Sequence, residues 1–166
     1  MLSSKLMRAL TLGLSLAGTV AFAGDATGKS AASTQLACPS GTKQIGTPEE
    51  GLYCRKSVSV NGLNFAHGPA VSYFSNGQKR YEGQYFEGFR TGTWVFYDES
   101  GKETGRTEFS GNSYHGKRVQ YFANGKPRLV EEYVNGKRHG LTQEFSEDGK
   151  LVREAQYRDD RLADAK

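Results

Sequence analysis

The sequence predicts an all-β protein: tandem 24-residue β-hairpin repeats forming one elongated, twisted antiparallel sheet, with a disulfide-stapled cap at its front. Three observations predict it: a fixed period, a turn dipeptide in each period, and two-residue spacing of apolar side chains between the turns. The period runs without a gap through units 67–90, 91–114, 115–138 and 139–162. Glycine recurs at Gly68, Gly92, Gly116 and Gly140, and again at Gly77, Gly101, Gly125 and Gly149. Aromatic residues recur at Tyr73, Tyr97, Tyr121 and Phe145, and at Tyr85, Phe109, Tyr133 and Tyr157. Self-similarity at such a period marks a repeat array, in which each unit buries its apolar face against its neighbours.

Each unit reads as a hairpin. Val71 and Tyr73 stand two apart, as do Tyr81, Gly83 and Tyr85, the spacing that places side chains on one face of a strand. Between these runs come Asn76-Gly77, Ser100-Gly101, Asn124-Gly125 and Asp148-Gly149. Asn-Gly and Asp-Gly favour tight hairpin turns because both residues adopt positive φ at little cost. A second turn closes each unit at Glu87-Gly88, Gly111-Asn112, Asn135-Gly136 and Asp159-Asp160. The expected repeat core is Val71, Tyr73 and Tyr85, then Val95, Tyr97 and Phe109, then Val119, Tyr121 and Tyr133, then Phe145 and Tyr157. Its aromatic members are expected to stack along one face, each cross-strand pair contributing roughly 0.2–1 kcal/mol.

The run Tyr81-Glu82-Gly83-Gln84-Tyr85, followed by Gly88 and Gly92, resembles the MORN repeat, in the variant found in bacterial envelope and antitoxin-like proteins. The same columns return as Leu129-Val130-Glu131-Glu132-Tyr133 with Asn135-Gly136 and His139-Gly140. The second unit departs by placing Thr91 where His67, His115 and His139 stand, and the last places Asp160 where glycine is usual and Gln143 where valine recurs. The resemblance implies hairpin arrays that serve as interaction or membrane-apposed scaffolds.

In chain order, residues 1–23 combine Lys5 and Arg8, an apolar run from Ala9 to Val20 and Ala21-Phe22-Ala23, the pattern of a cleaved secretory signal peptide. Residues 24–37 are small and polar and read as a flexible spacer. Cys38 and Cys54 are expected to form one disulfide, worth about 3 kcal/mol in the chain-entropy account. Residues 38–66 then form a cap, in which Ser57 to Gly62 looks like the returning strand of an incomplete unit; residues 163–166 are a tail. The cap would cover one open sheet edge, and the charges of Arg158 to Arg161 would discourage pairing at the other.

Without Lys5 and Arg8 the chain carries 20 Lys and Arg against 18 Asp and Glu, spread evenly through the repeats. Phosphate-backbone binding needs a clustered basic face, so no nucleic-acid partner is expected. His67, His115 and His139 share one slot of successive units, about 10 Å or more apart across two strands. Zinc ligands must all lie at about 2.0–2.1 Å from one ion, so these histidines read as turn residues. No nucleophile elbow, zincin motif or phosphate loop occurs. No enzyme activity, catalytic residue, cofactor or metal is expected.

The second unit breaks the pattern. Trp94 and Phe96 flank Val95 and so point away from it, where other units place Ala70 and Ser72, Arg118 and Gln120, or Thr142 and Glu144. With Phe74 and Phe122 they form either an exposed partner-binding patch or rings buried locally by coiling of the sheet or by the N-terminal loop. Phe86 and Phe89 beside a turn are weaker candidates. The expected function is that of an exported, periplasmic or extracellular scaffold that binds a protein partner through its sheet. An antitoxin-like role, or contact with a membrane surface or cell-wall glycan, is the alternative.

Overall fold

A computed structural model describes residues 34–58 and 61–163. The expected signal peptide, most of the spacer, Ser59, Val60 and the last three residues of the tail lie outside the described residues. Eleven strands follow in order: β1 Thr42–Ile45, β2 Leu52–Lys56, β3 Ala66–Tyr73, β4 Lys79–Phe86, β5 Phe89–Tyr97 and β6 Glu103–Ser110. Then come β7 Ser113–Tyr121, β8 Pro127–Val134, β9 Lys137–Phe145, β10 Leu151–Arg158 and β11 Arg161–Leu162. They form one open sheet in sequence order, and each ladder is antiparallel. No helix occurs among the described residues.

Both sets of turns bind neighbouring hairpins to one another. At one end Asn76 Nδ2 donates to the carbonyl of Glu99 at 2.7 Å, and Asn124 Nδ2 to that of Glu147 at 2.8 Å. At the other end Glu87 and Gly88 have φ of 48° and 87°, both positive as a tight two-residue hairpin loop requires. The departure at Asp160 has a physical reason. Asp160 and Asn112 adopt φ of 67° and 69°, and their side chains accept the backbone N–H of Arg138 at 2.9 Å and of Arg90 at 2.7 Å. Glycine at the equivalent positions has no side chain to make that bond.

The glycine that follows each histidine or threonine has a separate cause. Gly68, Gly92, Gly116 and Gly140 lie where the register slips between the strands that join successive units. Their φ values of 106°, 64°, 94° and 117° are left-handed, which side chains disfavour and a β-bulge exploits.

Directly opposed residues share a face, so the register separates the two aromatic columns. Val71 opposes Glu82, Glu82 opposes Val95 and Val95 opposes Arg106, which puts these residues, with Tyr73 and Tyr97, on a first face. Ala70 opposes Gly83 and Gly68 opposes Tyr85, while Trp94 opposes Thr107 and Gly92 opposes Phe109; these lie on the second. The expectation of one aromatic face is therefore corrected: Tyr73, Tyr97, Tyr121 and Phe145 belong to one side, and Tyr85, Phe109, Tyr133 and Tyr157 to the other. The intervening turn adds a one-residue register shift, at Ser72/Tyr73 in the first hairpin, so the step of twelve from Tyr73 to Tyr85 changes side while each column keeps its own side at the period of 24. Of the expected core, Val71, Tyr73, Phe109 and Tyr157 are buried, and the remaining members are half-buried.

The cap is a hairpin of its own. β1 pairs with β2 and β2 with β3, so the strand beside the array is Leu52–Lys56 rather than the expected run from Ser57, of which Ser57 and Val58 form a bend and Ser59 and Val60 lie outside the described residues. Cys38 and Cys54 form the disulfide, with Cα atoms 5.5 Å apart. The loop between β1 and β2 is fixed by the Pro48 carbonyl, which accepts the Tyr73 N–H at 2.8 Å. The Glu49 carbonyl accepts Ser72 Oγ at 3.0 Å and Arg80 Nη2 at 2.9 Å. The end of the expected spacer is engaged too: Leu36 packs on Leu52, Val71 and Tyr73, and Gln44 bonds the backbone of Thr34 and Leu36.

Candidate partner-binding face

The second face carries a continuous series of rings. Trp94 is its centre, 3% exposed and clustered with Ala70 and Phe109, against which Tyr53, Tyr81, Tyr85 and Phe96 pack. Its indole lies over Gly83, where an added Cβ would overlap the ring atoms, and its Nε1 donates to the Gln84 carbonyl at 3.2 Å. Ring centroids step from Tyr53 to Tyr85 at 6.1 Å, Trp94 at 5.1 Å and Phe109 at 6.3 Å. They continue to Tyr114 at 5.2 Å and Tyr133 at 5.1 Å. The last four contacts are edge-to-face, the arrangement the ring quadrupole favours.

A second column covers the first. Arg90, Tyr114 and Arg138 recur at the repeat period, and each lies over the aromatic residue nineteen positions later. The Arg90 guanidinium sits 4.3 Å from the Phe109 ring centroid, Arg138 4.2 Å from that of Tyr157, and Tyr114 meets Tyr133. Such cation–π contacts are worth roughly 0.5–1 kcal/mol at exposed sites and more where desolvated. In the third unit an ion pair takes the place of the indole: Arg118, equivalent to Trp94, binds the buried Glu131 at 2.5 Å. Burial, with Glu131 beside it, pushes the Tyr133 hydroxyl up from its ordinary value.

Between β5 and β7 this face has a depression of about 460 Å³ over Gly105, bordered by Arg90, Phe96, Phe109, Tyr114, Arg118 and Gln120. Tyr81, Leu129 and Arg153 carry side chains at the position of Gly105 in the other units. Arg128 bonds Gln120 from the neighbouring strand.

Beyond the apolar cluster of Leu52, Val71 and Tyr73 at the cap, the first face is a polar mesh. Tyr97 donates to Glu82 at 2.5 Å, and Lys79 donates to the same carboxylate at 2.6 Å. Burial raises the Glu82 carboxyl, but those hydrogen bonds outweigh it and hold the group below the usual carboxylate range. Burial and the bond to Glu82 push the Tyr97 hydroxyl up to about 12.

Of the four rings singled out in the sequence, Trp94 and Phe96 pack together, Trp94 as core rather than exposed patch. Phe74 lies beside Pro48 and Tyr73 near the cap, and Phe122 belongs to neither buried cluster. Among the described Phe, Tyr and Trp residues the most exposed are Phe86 at 60% and Phe89 at 52%, on either side of the Glu87-Gly88 turn. Each histidine meets the first turn residue of its own hairpin: His67 lies 3.0 Å from Glu87, His139 3.4 Å from Asp159, and His115 3.5 Å from the Asn135 N–H. Sequence reasoning missed the arginine column, although Arg90 and Arg138 stand one period either side of Tyr114.

The family model for the MORN repeat variant matches residues 66–87, 114–135 and 138–159. This is a MORN-variant repeat protein. The unmatched interval is the second unit, which folds as the β5–β6 hairpin all the same. No curated protein matches the chain. Among solved structures it is similar to a glycosylation-associated protein complex from Streptococcus agalactiae, at 14% identity and TM-score 0.38, over 66% of this chain and 20% of that one. A second is a S. aureus TarM mutant in complex with Fondaparinux, alpha-GlcNAc-glycerol and UDP, at 13% identity and TM-score 0.32, over 70% and 20%. A third is a GtfA/B complex bound to UDP and GlcNAc, at 16% identity and TM-score 0.25, over 74% and 25%. The chain thus spans a fifth to a quarter of those proteins, and at these scores the likenesses carry no functional argument. As a MORN-variant array the chain is a repeat-containing binding or scaffold protein.

Proposed function

We propose that this MORN-variant protein is an exported, non-enzymatic scaffold of a bacterial envelope that holds a protein partner against the second face of its sheet. The observation that supports it most is the unbroken series of rings from Tyr53 to Tyr133, overlain by arginines. Aromatic residues and arginine are the side chains enriched in protein interfaces, and repeat sheets offer long surfaces for them. The Cys38–Cys54 disulfide favours an oxidising compartment, in agreement with the leader pattern of residues 1–23. Cell fractionation, with intact-mass analysis and in-situ crosslinking, tests the reading. The expected result is an envelope or secreted chain beginning at Gly24, with both cysteines oxidised and a reproducible protein adduct. An unprocessed, reduced chain in the cytoplasm would overturn it.

A further inference from the structure

Two guanidinium groups border the Gly105 depression, and their charges are balanced differently. Arg118 is paired with Glu131. Arg90 forms no ion pair among the described residues, because Asn112 stands where Asp160 pairs with the equivalent Arg138. Arg128, through its bond to Gln120, adds a third positive charge at the rim. Three arginines therefore face one carboxylate around an open depression. The Arg90 side chain is also held in place, stacked on Phe109 and 5.9 Å from the Trp94 ring. A planar guanidinium fixed in this way is suited to bidentate recognition of a carboxylate.

We propose that the depression over Gly105 binds an acidic side chain of an extended protein segment, its carboxylate held by Arg90 and Arg118. This rests on the partner-binding reading above and names the chemistry of the partner. A sugar would need open ring faces on which to stack. Here Trp94 and Phe109 meet edge-to-face, and the Arg90 guanidinium already covers Phe109, so an anion is favoured over a neutral glycan. A neighbouring apolar side chain of the same segment would meet Phe96 and Tyr114, the latter 37% exposed.

Trp94 is the only tryptophan in the chain, and its contact with Arg90 makes its emission a reporter. The full chain is titrated with a peptide of alternating Glu and Thr, with its Gln-Thr counterpart, and with oligogalacturonate. The expected result is a saturable, salt-sensitive change with the Glu peptide only, weakened at least tenfold in Arg90→Gln. Arg153→Gln, on the same face but away from the depression, leaves it unaltered. Arg118→Lys, which keeps a cation for Glu131, retains the response in weakened form. An equal response to the Gln peptide, a response to the uronate alone, or no response from the folded protein would overturn the proposal. So would an unweakened Arg90→Gln. If the crosslinked envelope partner is still captured by Arg90→Gln, the scaffold reading stands and only this assignment of its chemistry fails.

Discussion

The contact between Trp94 and Gly83 predicts a substitution whose sign depends on its background. Gly83 has no positive φ, so an alanine there meets no backbone strain, but its methyl would overlap the indole. Overpacking of this kind costs about 1–3 kcal/mol. Trp94→Ala removes a side chain that is 3% exposed, a change worth roughly 3–5 kcal/mol. Once the indole is gone, the Gly83→Ala methyl fills space, and alanine in a strand is about 0.5–1 kcal/mol better than glycine. Gly83→Ala should therefore destabilise the wild type and stabilise Trp94→Ala, with a coupling of about 1.5–4 kcal/mol. Urea unfolding followed by circular dichroism, which does not need the tryptophan, measures all four proteins. An equal effect of Gly83→Ala in both backgrounds would refute the placement of the indole.

Three further predictions follow from the same geometry. Cys38→Ser with Cys54→Ser should lower stability by about 3 kcal/mol in urea unfolding, and adding reductant to the wild type should reproduce the loss. Asn124→Ala, which loses the bond to the Glu147 carbonyl, should cost about 0.5–1.5 kcal/mol by the same measurement, whereas Ser100→Ala should cost less. Tyr97 should ionise near 12, against an ordinary 10.0. Because its folded value is the higher, its contribution to stability is complete below about 10 and is lost as pH rises toward 12; ultraviolet titration of Tyr97→Phe against wild type should lack that late tyrosinate step.

The hairpins were legible because their signals are local. Asn76-Gly77 and Glu87-Gly88 specify turns from two residues each, and the repeat multiplies the evidence fourfold. Which face a side chain takes is not local in that sense. It depends on register, and the one-residue shift at Ser72/Tyr73 separates Tyr73 from Tyr85 although both recur with the same period. Trp94 was legible as an exception, but the choice between exposed patch and buried ring stayed open, because its burial depends on Gly83 across the strand and on Phe109 beyond it. The disulfide was readable from two cysteines alone. The strand that carries Cys54 was not, since Leu52–Lys56 shows no repeat signature. Asp160, a departure in sequence, proves to be an alternative solution to the same turn.

The most direct test of the proposed partner-binding face compares photocrosslinking residues placed on the two sides of the sheet. A crosslinker at Tyr114 lies on the ring-and-arginine face, and one at Tyr121 on the polar face. The account predicts that Tyr114 captures the envelope partner, with the adduct lost when unlabelled partner is added in excess, and that Tyr121 does not. Capture from Tyr121 alone would contradict it and move the docking surface to the side of Tyr73 and Tyr97.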